Sequence, residues 1–113
     1  MTKVEAVQWL CEYRDENTLL NVKPNPYGRP GIPNDFECNV YLDGLVNILI
    51  HDIYTLNVDP VTIVADMYYR FDDVLAESDE DHFVTHNFCA HMGYLTRDMY
   101  DYLCKKEKQY GNC

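Results

Sequence analysis

Basic residues are scarce in this sequence, and their scarcity limits the partners that the protein can bind. Nineteen aspartates and glutamates outnumber nine lysines and arginines, which gives a formal charge of -10 over 113 residues. Residues 30–96 contain twelve acids and one base, Arg70, whereas the rest of the chain is nearly neutral. This field would repel a phosphate backbone and attract a basic protein, so we expect no direct nucleic-acid binding.

Long apolar segments are lacking as well. The longest uncharged apolar run extends from Leu45 to Ile50 and is interrupted by Asn47, whereas a membrane-spanning helix needs about 20 apolar residues. The N-terminal residues lack the basic-then-apolar pattern of a secretory signal. The five cysteines show no CxxC spacing, which favours reduced thiols. We therefore expect a single soluble, cytoplasmic domain, residues 1–113, that does not contact a membrane.

Sequence motifs for catalysis are absent. There is no Gly-x-Ser-x-Gly turn for a serine nucleophile and no glycine-rich loop for phosphate. Neighbouring acids such as Asp72 and Asp73 are more typical of a solvated helix surface than of a buried acid and base. His51 and His91 have no evident catalytic partner and are interpreted as hydrogen-bonded structural residues. We predict that the protein is not an enzyme and uses no cofactor.

Hydrophobic periodicity predicts an all-α fold that begins with a short helix near the N-terminus. The motif Thr2-x-x-Glu5 is a capping box, so the helix is expected to start at Thr2 and to end near Asn17. Trp9 and Tyr13 fall on a separate face, where they would either pack on another element or form an exposed aromatic pair for self-association. The predicted buried stripe consists of Val4, Val7 and Cys11.

A long loop follows the first helix. Residues 21–34 include four prolines and two glycines, which exclude a helix interior and a central strand. Loops of this length in small domains are often functional, and Tyr27 and Arg29 are its side chains best suited to contact a partner. The alternative is a structural segment that covers one end of the core.

The second helix is predicted from Phe36 to Leu56. Asp43-Gly44 is also a good turn for a short β-hairpin, which would delay the start of the helix until after Gly44. Spacings of three and four residues favour the helix, because a half-buried strand would alternate instead. The stripe with these spacings consists of Leu42, Leu45, Leu49, Ile53 and Leu56.

A third helix is predicted to start at Asp59-Pro60, where proline occupies the first helical position. Its apolar stripe consists of Val61, Val64, Tyr68, Phe71 and Leu75. Its solvated stripe consists of Asp66, Arg70, Asp73 and Glu77, and Arg70 is expected to pair with acids on both sides.

A fourth helix is expected after Ser78, because acids in a first turn complement the helix dipole. Gly93 interrupts its stripe, which indicates a close helix contact or a bend. Short connections make the last three helices antiparallel, with the first helix in the remaining groove, so a four-helix domain is predicted. The first-turn acids are Asp79, Glu80 and Asp81. The stripe consists of Val84, Phe88, Met92, Leu95, Met99 and Tyr102.

One set of residues in the fourth helix could bind a metal ion. The spacing of His82, His86 and Cys89 puts two imidazoles and a thiol on one side of a helix, with Asp81 as an additional ligand. A helical wheel referred to Val84 turns all three away from the core. The alternative is that they are ordinary surface residues, because the central glutamate of a metalloprotease motif is missing.

Acids and tyrosines together predict a protein-binding face. Tyr69, Tyr94 and Tyr100 fall outside the apolar stripes, and tyrosine offers a large contact area and a hydroxyl at low entropy cost. The acids expected to contact a basic partner are Asp66, Asp72, Asp73, Glu77, Asp79, Glu80 and Asp81. An acidic surface that serves solubility alone is the alternative, as is a self-associating structural subunit.

In composition, the chain resembles the small acidic helical inhibitors of phages and other mobile elements, which imitate the charge of DNA. That resemblance implies an inhibitor of the anti-restriction or anti-CRISPR type that blocks a host nucleic-acid-binding enzyme. It rests on no motif, so it assigns no role to individual residues. The physical basis is that carboxylates can compete with phosphates for a cationic groove.

Overall fold

A computed structural model describes residues 1–25, 32–77 and 83–110. Within these residues the chain forms four α-helices and no strand, which confirms the all-α prediction. None of these helices combines the length and the apolar composition that crossing a membrane requires. In chain order the helices are α1 (Lys3–Asn17), α2 (Asp35–Thr55), α3 (Pro60–Glu77) and α4 (Phe83–Tyr110).

Side-chain caps begin the first two helices. At α1, the Thr2 hydroxyl accepts a hydrogen bond from the Glu5 amide at 3.1 Å, and the Glu5 carboxylate accepts one from the Thr2 amide at 2.9 Å, as predicted. Asn34 and Glu37 form the same reciprocal pair at the start of α2, which the sequence interpretation missed. Helix α3 begins at Pro60, in agreement with the prediction.

Helix α2 continues without interruption through Asp43 and Gly44, so the alternative β-hairpin is wrong. The apolar stripe that favoured the helix is buried from Leu42 to Ile53. Burial of one continuous apolar side therefore outweighs the local turn preference of Asp-Gly. Leu56, the last residue of the predicted stripe, lies at the end of the helix and is exposed.

Neighbouring helices run in opposite directions. Lys3, at the start of α1, donates a hydrogen bond to the carbonyl of Leu56 just after the end of α2. The N-terminal ammonium of Met1 lies 3.3 Å from a carboxylate oxygen of Glu107 near the end of α4. Helix α3 packs along α4 over most of its length and also contacts α2. The result is an up-down-up-down bundle in which α1 lies between α2 and α4.

The buried side of α1 differs from the prediction. Trp9 is 5% exposed and Tyr13 is 2% exposed, whereas Val4 is 66% exposed. Val7 and Cys11 are only half-buried. The two aromatic rings carry more apolar area than the small stripe residues, so their burial decides which side of α1 faces the core. The hypothesis of an exposed self-association pair at Trp9 and Tyr13 is therefore wrong.

Candidate protein-binding surface

The outward side of α3 carries four of the predicted acids. Asp66, Asp73 and Glu77 are exposed and lie on one stripe of the helix, because residues seven and four positions apart share a face. We call these three residues the acidic stripe. Asp72 is also exposed and borders α4. In the described part of the chain no lysine or arginine forms a salt bridge with these four acids, and Arg70 forms none, contrary to prediction.

On the opposite side of the bundle, two cations are paired with acids of neighbouring helices. The Arg14 guanidinium lies 3.6 Å from a carboxylate oxygen of Asp43, which links α1 to α2. The Lys106 ammonium lies 3.2 Å from a carboxylate oxygen of Glu12, which links α4 to α1. The two sides of the bundle thus differ in how far their acids are neutralised. Three lysines lie near the end of α4, where α3 begins: Lys105, Lys106 and Lys108.

A groove lined by tyrosines runs between α3 and α4, beside the acidic stripe. It has two sections of about 340 Å³ and about 190 Å³, and Tyr68 and Arg97 line both. Tyr69 and Tyr100 line the larger section, and Tyr94 lines the smaller one. We call this feature the tyrosine groove. Because Tyr69 is 60% exposed and Tyr94 is 70% exposed, much of each ring is open to a partner.

The tyrosines that the sequence assigned to a binding face therefore lie together. Tyr69, Tyr94 and Tyr100 belong to two helices, and the packing of α3 on α4 brings all three to one groove. Tyr68, predicted to belong to the core stripe of α3, is half-buried, and its ring centroid lies 5.5 Å from that of Tyr69. Tyr68 therefore forms part of the groove wall in both sections.

Gly93 lies where α3 and α4 pack against each other. The residue is buried, and a β-carbon built on it would lie 3.7 Å from the Cβ atom of Phe71. The predicted close helix contact at Gly93 is confirmed. Tyr68, Tyr94 and Arg97 line the groove beside this contact.

Two charged residues of the tyrosine groove were missed by the sequence interpretation. Arg97 lines both sections and Asp101 lines the larger one. Both follow residue 96 and so lie outside the acidic segment, residues 30–96, from which the binding acids were predicted. The signal that could have found them is helical spacing, since Gly93, Arg97 and Asp101 are four residues apart on one face of α4.

Several predicted binding residues lie outside the described residues. They fall in the sequence between α1 and α2 and between α3 and α4. They are Tyr27, Arg29, Asp79, Glu80 and Asp81, together with the predicted metal ligand His82.

The predicted orientation of the metal set is wrong at Cys89. This thiol is 5% exposed, and burial raises its pKa above the ordinary value. The wheel prediction was referred to Val84, and Phe88, which the predicted stripe also assigned to the core, is exposed. Among the described residues, no group of three histidine, cysteine or acidic side chains is arranged to hold a metal ion. The buried positions of α4 follow a three-four spacing: Cys89, Met92, Thr96, Met99 and Leu103.

His91 differs from the expected hydrogen-bonded residue. Its Nε2 atom is buried, and no described residue forms a hydrogen bond with it. The ring packs edge-on against Tyr41 at a centroid distance of 6.1 Å. Burial lowers the pKa of His91, because the charged imidazolium would lose its hydration there. His51 is exposed, with its Nδ1 atom 3.5 Å from a carboxylate oxygen of Asp52.

Comparison of the chain with protein-family models, curated proteins and solved structures finds no significant match. The described surface offers carboxylates, phenol hydroxyls and exposed aromatic faces within one area. These groups bind cationic side chains by ion pairing and by cation–π contact.

Proposed function

We propose that this protein is a small acidic binding module that engages a basic protein partner through the acidic stripe and the tyrosine groove. The observation that carries the proposal is the position of α3 carboxylates, which pair with no cation of the described residues, beside a groove walled by tyrosines. Opposite charge speeds association and selects the partner, while tyrosine side chains supply contact area. The charge pattern and the aromatic groove thus point to one kind of partner.

The charge density of α3 bears on whether the module imitates nucleic acid. The helix has 18 residues, so it is about 27 Å long, and it carries four acids and one base. A single nucleic-acid strand of that length carries about eight phosphate charges, at one per 3.4 Å. The helix alone therefore matches less than half of a strand's charge. This favours a partner surface with separated cations over a channel shaped for a continuous phosphate backbone.

In a more specific form of this proposal, the protein is an inhibitor and the basic partner is a nucleic-acid-binding enzyme. A module that covers the cationic groove of a nucleic-acid-binding enzyme would compete with its substrate without resembling the substrate in shape. Competition by DNA or RNA for the same partner is the expected signature of this form. Binding that DNA and RNA do not displace would leave the module a binder of some other basic surface.

The acidic stripe provides the direct test. The triple variant Asp66→Asn, Asp73→Asn, Glu77→Gln should bind a fluorescent oligolysine peptide about tenfold more weakly at low salt, since each exposed ion pair contributes up to about 1 kcal/mol. The slope of affinity against salt concentration should also become shallower.

A matched control removes the same charge from the other side of the bundle. The variant Asp15→Asn, Glu16→Gln, Asp35→Asn changes three exposed acids of α1 and α2 and keeps the Arg14–Asp43 ion pair that links the two helices. It should bind the peptide nearly as well as the unchanged protein. Equal losses in the two variants would mean that net charge alone attracts the probe, and the acidic surface would then serve solubility.

A further inference from the structure

Three charges alternate along the tyrosine groove. Helices α3 and α4 are antiparallel, and Gly93 lies opposite Phe71. Asp72 therefore lies level with Gly93, and both line the smaller section. Asp101 follows Gly93 by eight residues, which places it about 12 Å farther along the axis. Arg97 lies midway and lines both sections, so the order along the groove is negative, positive, negative.

This spacing matches an extended polypeptide. In a β-strand conformation, residues i, i+2 and i+4 face the same side, and each step of two residues covers about 6.8 Å. Two such steps cover about 13.6 Å, close to the axial separation of Asp72 and Asp101. The central residue then faces Arg97.

We propose that the tyrosine groove binds an extended segment of the partner with basic residues at its first and fifth positions and an acidic residue at its third. The basic side chains pair with Asp72 and Asp101, and the acidic one pairs with Arg97. The aliphatic stems and cationic ends of the basic residues contact the tyrosine rings. The inference rests on the proposed function, because it specifies the segment by which a basic partner is recognised.

Arg97 is the residue that gives the groove selectivity. A uniformly basic segment would place a cation against Arg97, and a single bound anion would meet Asp72 or Asp101 within about 6 Å on either side. Both arrangements put like charges together, which is unfavourable. An alternating segment avoids both conflicts.

Synthetic peptides of equal composition test the spacing. An acetylated and amidated peptide Lys-Thr-Glu-Val-Lys is compared with its isomer Lys-Lys-Glu-Thr-Val, in which the lysines are adjacent. The spaced peptide should bind about fivefold more tightly by NMR titration, because only it places both lysines on acids. The shifts should centre on Tyr94, Arg97 and Tyr100. Equal affinity for the two isomers would overturn the proposal.

Charge reversal at the centre gives a sharper readout. The unchanged protein should prefer Lys-Thr-Glu-Val-Lys, with its central acid, to Lys-Thr-Lys-Val-Lys. In the Arg97→Glu variant this preference should invert, so that Lys-Thr-Lys-Val-Lys binds more tightly. Arg97 is exposed, so the bundle is expected to fold, and circular dichroism checks this. The Arg97→Ala variant should reduce the preference without inverting it. A preference for the central acid that survives in both variants would contradict a role for Arg97.

Other outcomes separate this inference from the function on which it rests. If oligolysine binds through the acidic stripe but the spaced peptide shows no advantage, the groove proposal fails and the acidic module stands. If a helix-stapled peptide carrying the same charges binds more tightly than the extended one, the extended geometry is wrong. If neither oligolysine nor any peptide binds in a salt-dependent manner, both proposals fail.

Discussion

Tyr13 has a buried side chain, and its hydroxyl finds a hydrogen-bond acceptor in an exposed carboxylate at the edge of the bundle. Its hydroxyl donates a hydrogen bond to a carboxylate oxygen of Asp98 at 2.6 Å, and its ring meets that of Tyr102 edge-on at 5.4 Å. Burial, followed by the hydrogen bond to Asp98, raises the pKa of Tyr13 above its ordinary value. Tyr13 thus contributes a hydrogen bond and a ring contact to the packing of α1 on α4.

The Tyr13→Phe variant should lower the free energy of unfolding by about 1 kcal/mol, because a hydrogen bond to a carboxylate is lost while the packed ring remains. Urea denaturation near neutral pH measures the change. The matched control is Tyr54→Phe, since Tyr54 is exposed, and it should leave the midpoint unchanged. Equal midpoints for Tyr13→Phe and the unchanged protein would show that the hydrogen bond adds nothing.

The stability that Tyr13 contributes should depend on pH in the alkaline range. The folded protein keeps the Tyr13 proton above pH 10, the ordinary pKa of tyrosine, whereas the unfolded chain loses it. The stability contributed by Tyr13 is therefore complete below pH 10 and decreases as pH rises further. Tyr13→Phe should make the alkaline loss shallower, as measured by denaturant midpoints at increasing pH. An unchanged slope would contradict the assignment.

His91 should make the bundle sensitive to acid. Because burial lowers its pKa in the folded state below the ordinary value of 6.5, the unfolded chain binds the proton more readily. Stability is therefore complete above pH 6.5 and decreases as pH falls below it. The His91→Phe variant keeps an aromatic edge against Tyr41 and removes the unpaired nitrogen, so it should gain about 1 kcal/mol below that pH.

The control for this variant is His51→Gln, which changes an exposed imidazole. Thermal unfolding at several pH values between neutral and mildly acidic measures both variants. If His91→Phe and His51→Gln flatten the acidic limb equally, burial of His91 is not the cause.

At the scale of helices, Gly44 is a weak point in the interior of α2. A β-carbon at Gly44 would have no neighbour within 4 Å. Alanine should therefore fit without strain and should stabilise the protein by about 0.5–1 kcal/mol through its higher helix propensity. The midpoint of thermal unfolding reports this gain. A loss of stability in Gly44→Ala would contradict the expectation that a methyl group fits here without strain.

The helices also show what periodicity can and cannot predict. On α2 the apolar residues from Leu42 to Ile53 form one side, and both the helix and its buried face were predicted. On α1 two candidate stripes competed, and spacing could not reveal that the stripe with Trp9 faces α2 and α4. On α4 Met92 and Met99 were predicted to be buried and are, but Phe88 is exposed and Cys89 is buried, so the buried face is rotated from the stripe referred to Val84. Local pattern predicts a helix, whereas its orientation depends on its neighbours.

The tyrosine groove was beyond sequence interpretation for a related reason. The exposed character of Tyr69 and Tyr94 could be predicted from their places outside the stripes. Their proximity depends on the register of α3 against α4, which the contact of Gly93 with Phe71 defines. Because that register decides which residues of the two helices are neighbours, the sequence alone did not place Arg97 in the groove.

For the whole molecule, the formal charge of -10 should make stability depend on salt. Added sodium chloride screens repulsion among the acids, because the Debye length falls to about 10 Å at 0.1 M. Thermal unfolding should move to higher temperature as salt increases. In the triple variant of the acidic stripe, the midpoint should be higher at low salt and should rise less. A midpoint that falls with salt would contradict a surface under repulsion.

The lysines near the end of α4 have a consequence for how the protein approaches a partner. They lie at the end of the bundle where α3 begins, whereas Asp72, Asp73 and Glu77 lie toward the other end of α3. This separation contributes a component along the helices to the electric dipole moment of the molecule. In the field of a cationic surface the protein should therefore orient before contact, with its carboxylate end toward the surface. A larger fraction of collisions should then lead to binding.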